Sequence, residues 1–253
     1  MNIQEARPYI FVGLSFALII WEFFKPVYKR FYGHRFWHNY VFLLLGIFIL
    51  KLAFPAGLAA LTLKTPRLLW HLNQLPFSVE IPITIVLFDL AMYWQHRLSH
   101  KWRWFWQFHA IHHSDATLDF TSAARFHPGE IFFSGIYKLL LITLIGPSLE
   151  GYLSYEILLS SFALFNHSNI YISRNIDNLL RRVIVTPEMH YPHHSPEKAL
   201  TNKNFGNIFS WWDKLFKTYS GDTNRVFGLN DFPPDKLGKL MGHPILFDYF
   251  KRK

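Results

Sequence analysis

Residues 77–113 read FSVEIPITIVLFDLAMYWQHRLSHKWRWFWQFHAIHH. An apolar run over residues 77–94 passes without a break into His96. Nothing between Ile83 and His100 interrupts the pattern, so helix is the natural reading. Residues three and four apart lie on one face of a helix. His96 and His100 therefore share a face, and His109, His112 and His113 form an HxxHH triplet that presents three imidazoles on one side. The same pattern returns as His190, His193 and His194, where Pro192 weakens the helical reading. With 14 His in 253 residues, one HxxHH by accident is uncommon and two are far more so.

Outward from this stretch, apolar segments lie at residues 9–24, 40–63 and 131–165. A bilayer crossing needs about 20 apolar residues. The first segment is short and needs its aromatic end, Trp21 and Phe23, at the interface. It has little basic flank and no small-residue cleavage site, so it reads as an anchor and not as a cleaved signal. The second is interrupted near Pro55. The last is split by Gly146-Pro147 into halves each short for a crossing, which predicts a hairpin that dips in and returns. The fold expected is an all-α integral membrane protein of one domain over residues 1–253. About four membrane-embedded helices (residues 9–24, 40–63, 77–95 and 131–165) form two hairpins. A histidine-rich helical cap spans residues 96–128 and 166–220. The number of full crossings is then even, and both triplets reach the same side. Lys25, Lys29, Arg30, Arg35 and the basic residues of the cap place that side in the cytoplasm by the positive-inside rule.

Composition narrows the chemistry. Hydrophobic residues make up 51% of the chain and charged residues only 17%, and there is no Cys, which excludes disulfides, thiolate zinc sites and cysteine-ligated clusters. The net charge of +9 does not signal nucleic acid, because no nucleic-acid motif is present and the basic residues flank apolar segments. Residues 204–219 carry aromatics at helical spacing beside Lys214 and Lys217. They read either as a short helix on the membrane surface or as a core-packing helix. The tail from Asp222, with Pro233-Pro234, reads as loosely structured.

Eight His occupy the HxxxH pair and the two triplets, and His127 and His167 stand close by in sequence. His34, His38, His71 and His243 fall outside the clusters, and most of them read as surface or interfacial residues. One metal ion accepts about six such ligands, so eight to ten imidazoles on one face argue for two ions. All-nitrogen ligation suits iron, zinc, copper or nickel. Ligating imidazoles need acceptors that fix their tautomers. Asp89, Asp115, Asp119, Glu130, Asn166, Asn169 and Glu188 are the candidates. Asp89 lies inside an apolar run, where a carboxylate marks either a functional site or a buried partner.

HRLSH (96–100), HAIHHSDATLDFTSAARFHPGE (109–130), FNHSN (165–169), HYPHHS (190–195) and NFGNIFSWWDKLF (204–216) together resemble the fatty acid hydroxylase superfamily, in its bacterial sterol-desaturase-like branch. The resemblance covers roughly residues 80–220. It implies a membrane di-iron oxygenase whose metal ligands fall on His96, His100, His109, His112, His113, His190, His193 and His194, with His127 and His167 as further ligands. In fatty acid 2-hydroxylases two spaced His precede the final triplet. Here Ala163 stands four residues before His167, which leaves open what completes the second ion's shell. The resemblance further implies two iron ions with O2 as co-substrate, and hydroxylation or desaturation of a membrane lipid (sterol, hopanoid, fatty acyl, ether lipid or carotenoid). It implies an external electron donor of ferredoxin, rubredoxin or cytochrome b5 type, and a place in the bacterial inner membrane. Two other readings use the same ligands: a non-enzymatic metal-binding or metal-transport protein, and a zinc-dependent lipid hydrolase.

Overall fold

Among the described residues, four helices are long and apolar enough to cross a membrane. The first two are α1 (Ile3–Phe24) and α2 (His34–Ala53), the latter continued by a helical turn at Leu58–Leu61. The others are α3 (Phe77–Lys101) and, after α4 (Arg103–His113), α5 (Pro128–Ile145). α6 (Leu149–His167) runs back beside α5. The computed structural model describes residues 3–29, 33–230 and 236–246. Among them regular structure is helical, apart from one antiparallel bridge between Ile184 and Phe209.

Local chemistry sets the ends of these helices. The expected interruption near Pro55 is present: α2 stops at Ala53, and Gly57 takes φ +79°, a left-handed backbone that favours glycine. Gly146 ends α5 at φ +63°, and a Cβ there would lie 2.5 Å from the Trp70 carbonyl. The last carbonyls of α5 have no partner within the helix. Backbone N–H groups of the connector donate to them instead, Leu68 to Thr143 at 2.9 Å and Trp70 to Leu144 at 3.0 Å. Ser148 caps α6 by accepting from Gly151 N, and its own hydroxyl donates to buried Glu80. The expectation that each arm of the hairpin is too short to cross does not hold for α5. His127 as N-cap and Pro128 in the first turn start that helix before the apolar run begins, giving 18 residues.

α3, α5 and α6 pack through Phe88, Leu141, Ile142, Ile145, Tyr152 and Tyr155. α1 lies along α6, Leu18 beside Leu164. The outward faces keep Phe16, Phe23, Leu44, Phe48 and Leu52 exposed, which suits contact with lipid and not with water. Inside the bundle, Glu156 of α6 accepts from Lys138 Nζ at 2.6 Å and from Arg7 at 3.0 Å. Removing one partner of such a buried pair strands a charge, which costs about 3–5 kcal/mol, whereas apolar replacement of both is near neutral. Glu156→Leu is therefore expected to melt well below the wild type in detergent. The double variant Lys138→Met/Glu156→Leu should recover most of the loss.

Two further expectations meet a different structure. Of residues 204–219 only Trp211–Leu215 is helical, and Phe205 and Trp212 are buried around Tyr93. The segment packs into the core because Asp89 holds it: its carboxylate accepts from Ile208 N and Phe209 N, each at 3.1 Å, and from Trp212 Nε1 at 2.8 Å. The tail is not loose throughout. Leu237–Leu246 forms α7, with Leu240 buried against Phe42, Trp106, Ala110 and Ile111. Pro233 and Pro234 lie outside the described residues, as does the side chain of His243.

Candidate metal centre

The last two turns of α3 carry His96 and His100, α4 carries the first triplet, and α6 ends on His167. The second triplet sits on a one-turn helix, Pro187–His190, that tightens into a 3-10 turn over Tyr191–His194 to accommodate Pro192. These elements gather nine imidazoles into two groups. His96, His100, His109, His113 and His193 form one; His112, His167, His190 and His194 form the other. Within each group one ring nitrogen per residue lies within 4.8 Å of every other.

Each triplet is divided between the groups. The i,i+4 pair goes to one and the i+3 histidine to the other: His109 and His113 against His112, then His190 and His194 against His193. The groups abut, with the rings of His113 and His194 stacked at 4.5 Å. Aromatic rings wall them in. Phe126 stacks on His112 at 4.3 Å, Phe205 lies 5.0 Å from His100, and Trp106 lies 4.9 Å from His100.

Nε2 atoms converge. In the four-histidine group, His167 Nε2 is 3.0 Å from His112 Nε2, 3.1 Å from His194 Nε2 and 3.2 Å from His190 Nε2. His193 Nε2 and His96 Nε2 are 2.9 Å apart in the other group. Ligands about 2.1 Å from an ion and at right angles to one another are separated by about 3 Å, so the donor set fits a cation. Tautomers agree. His96 Nδ1–H donates to the Phe205 carbonyl at 2.9 Å, His167 Nδ1–H to Ala163 at 2.7 Å and His193 Nδ1–H to Lys203 at 2.7 Å, leaving the Nε2 lone pairs facing inward. Both ring nitrogens of buried His100 lack a hydrogen-bond partner among the described residues, which leaves a buried lone pair available to a cation.

His127 is not brought into either group. Its Nδ1 accepts from Gly129 N at 3.0 Å and its Nε2–H donates to the Met241 carbonyl at 3.1 Å, so no lone pair is left for a metal. Of the seven candidate acceptors, Glu130 alone meets a histidine ring, at 2.7 Å from His109 Nδ1. Asp89 holds the 208–212 backbone, Asn166 donates to Asn207 O, and Asn169 pins Val27 and Tyr28. Glu188 pairs with Arg225, and Asp115 and Asp119 pair with buried Arg35 of α2. His96, His167 and His193 are held by backbone carbonyls, which no side-chain pattern announces.

Outside the membrane helices, burial and neighbouring imidazoles hold His112, His113, His190, His193 and His194 well below the usual histidine range. These groups stay neutral when folded, whereas the unfolded chain takes up protons below about pH 6.5. Their contribution is thus constant above that pH and turns against the fold below it. The metal-free protein is expected to lose thermal stability steeply between about pH 6.5 and about pH 5, and a melting series across that window checks it.

The chain shares 29% identity over 175 residues with an ornithine lipid hydroxylase of Rhizobium tropici, covering 66% of this chain and 50% of that protein. It shares 29% over 157 residues with human alkylglycerol monooxygenase (59% and 34%) and 24% over 165 residues with human cholesterol 25-hydroxylase (63% and 56%). The chain thus spans about half or less of the length of the first two. No solved structure matches significantly. The fatty acid hydroxylase model matches residues 81–218, a stretch that begins in α3 and takes in all nine clustered histidines. The chain belongs to the fatty acid hydroxylase family.

Proposed function

We propose that the chain is an oxygen-dependent di-iron hydroxylase of a membrane lipid, working on the cytoplasmic side of the bacterial inner membrane. The observation that carries this reading is the pair of abutting all-histidine groups at the ends of apolar helices. His96, His100, His109, His113 and His193 would hold one ion, and His112, His167, His190 and His194 the other. Iron there supplies the redox chemistry of O2 activation, which zinc lacks. Phe126, Phe205 and Trp106 exclude water from the ligand rings. The Phe205, Lys203 and Ala163 carbonyls hold the Nδ1 protons of three ligands, so their Nε2 atoms stay available. The named relatives are hydroxylases or monooxygenases, which favours oxygen insertion over desaturation. Within these residues there is no Cys for a cluster, so the electrons come from a donor of ferredoxin, rubredoxin or cytochrome b5 type. Lys25, Lys29, Lys101 and Arg103 lie at the cap end of the helices, in keeping with a cytoplasmic cap.

The test is lipid mass spectrometry of a strain expressing the chain beside its parent, grown under isotopically heavy O2. The expected result is a lipid species that gains one labelled oxygen. A product that forms anaerobically, or with zinc in place of iron, would overturn the reading in favour of a hydrolase.

A further inference from the structure

The two groups differ in more than their number of ligands. Among the nine clustered rings, His109 alone has a carboxylate on its outer nitrogen: Glu130 Oε1 lies 2.7 Å from Nδ1. His96, His167 and His193 donate to neutral carbonyls. Glu130 stands in the first turn of α5, and that turn is built to hold it there. His127 caps the helix and is itself fastened to Met241 of α7. At Gly129 a Cβ would come within 2.6 Å of the Phe108 ring, so α5 approaches α4 as closely as glycine permits. The other oxygen, Oε2, is buried and has no hydrogen-bond partner among the described residues. A carboxylate buried on a single hydrogen bond is costly unless a positive charge offsets it. A cation on His109 Nε2 provides that charge through the ring and strengthens the Nδ1–H as a donor.

We infer that Glu130 is a positioning residue that selectively strengthens the ion held by the five-histidine group, making the two metal positions unequal. The inference rests on the two-metal reading above. Glu130 fixes the His109 tautomer, so that its Nε2 lone pair faces the ion, and adds negative charge behind the ring. Among the described residues no carboxylate meets a ring of the four-histidine group.

The test is cobalt(II) titration of the metal-free full-length protein, followed by the visible absorption of the bound ion. The wild type should take up two ions, and fewer than two would sink the two-metal reading itself. Given two, Glu130→Gln should weaken one of them by about 10- to 100-fold, leave the other at its wild-type affinity, and shift the absorption of the weakened ion alone. The unchanged site serves as the control for folding. Glu130→Asp, which keeps the charge, should recover part of the loss. Equal weakening of both ions, or of neither, overturns the inference. Should Glu130→Gln fail to fold, Glu130→Asp is read against the same two outcomes.

Discussion

Replacing His194 by alanine is expected to lower bound iron from two ions to near one and lipid oxidation to the assay background. His194 Nε2 lies 3.1 Å from both His167 Nε2 and His190 Nε2 in the four-histidine group. Its loss leaves that group three nitrogens, and ferrous iron stands low among first-row divalent metals in affinity for nitrogen sites. His100→Ala makes the contrast. It leaves four nitrogens in its own group, so more iron should survive purification and more oxidation should remain. Iron analysis of the purified variants, beside labelled-oxygen incorporation into lipid, checks both. Equal iron in His194→Ala and the wild type would contradict the assignment of His194 to that group.

The second large effect is expected about two helical turns from His96. Asp89 is fully buried in α3, and Asp89→Ala leaves Ile208 N, Phe209 N and Trp212 Nε1 without their acceptor. A buried donor left unsatisfied costs about 1–3 kcal/mol, so the three together cost on the order of 5 kcal/mol, a large part of an ordinary domain's stability. The damage should concentrate in residues 204–219, because Asp89 supplies three of the hydrogen bonds that tie that segment to α3, beside that of Tyr93 to Thr218. The same segment supplies the Phe205 carbonyl to His96 and follows directly on the Lys203 carbonyl that holds His193. Asp89→Ala should therefore both melt early and lose metal, with protease cleavage appearing first near Phe205–Leu215. Asp89→Asn keeps an accepting oxygen but turns an amide toward a donor, and should fall between. An Asp89→Ala protein that melts like the wild type and keeps both ions would show that the segment is held by other contacts.

Much of this protein is legible along the chain. The apolar runs announce α1, α2, α3 and the α5–α6 hairpin. Gly146-Pro147 announces the turn between the hairpin's arms, and the residue spacings place His96 with His100 and His109 with His113 on shared faces. Residues with no periodic signature are read less well. The packing of Phe205 and Trp212 depends on Asp89, more than a hundred residues earlier. The docking of α7 depends on Leu240 meeting α2 and α4. His127 and His167 look alike in sequence, each a histidine beside a polar turn. His167, at the C-terminus of a helix, turns its Nε2 inward, whereas His127, at the N-terminus of one, spends Nδ1 on the cap and Nε2–H on Met241.

The sequence by itself determined the long apolar helices, the lack of Cys in this chain and nine histidines that the fold brings together. Helical periodicity fixes the angle at which a side chain leaves its helix, and composition fixes which donors exist. Only the tertiary structure decided that each HxxHH is shared between two groups, that the groups hold five and four histidines, and that the Glu130 carboxylate meets a ring of the five-histidine group. Those outcomes depend on where α3, α4, α6 and the Pro187–His194 turn meet. Their meeting point is set by long-range packing and by buried polar ties such as Asp89 to Trp212 and Arg35 to Asp115, which local spacing does not encode.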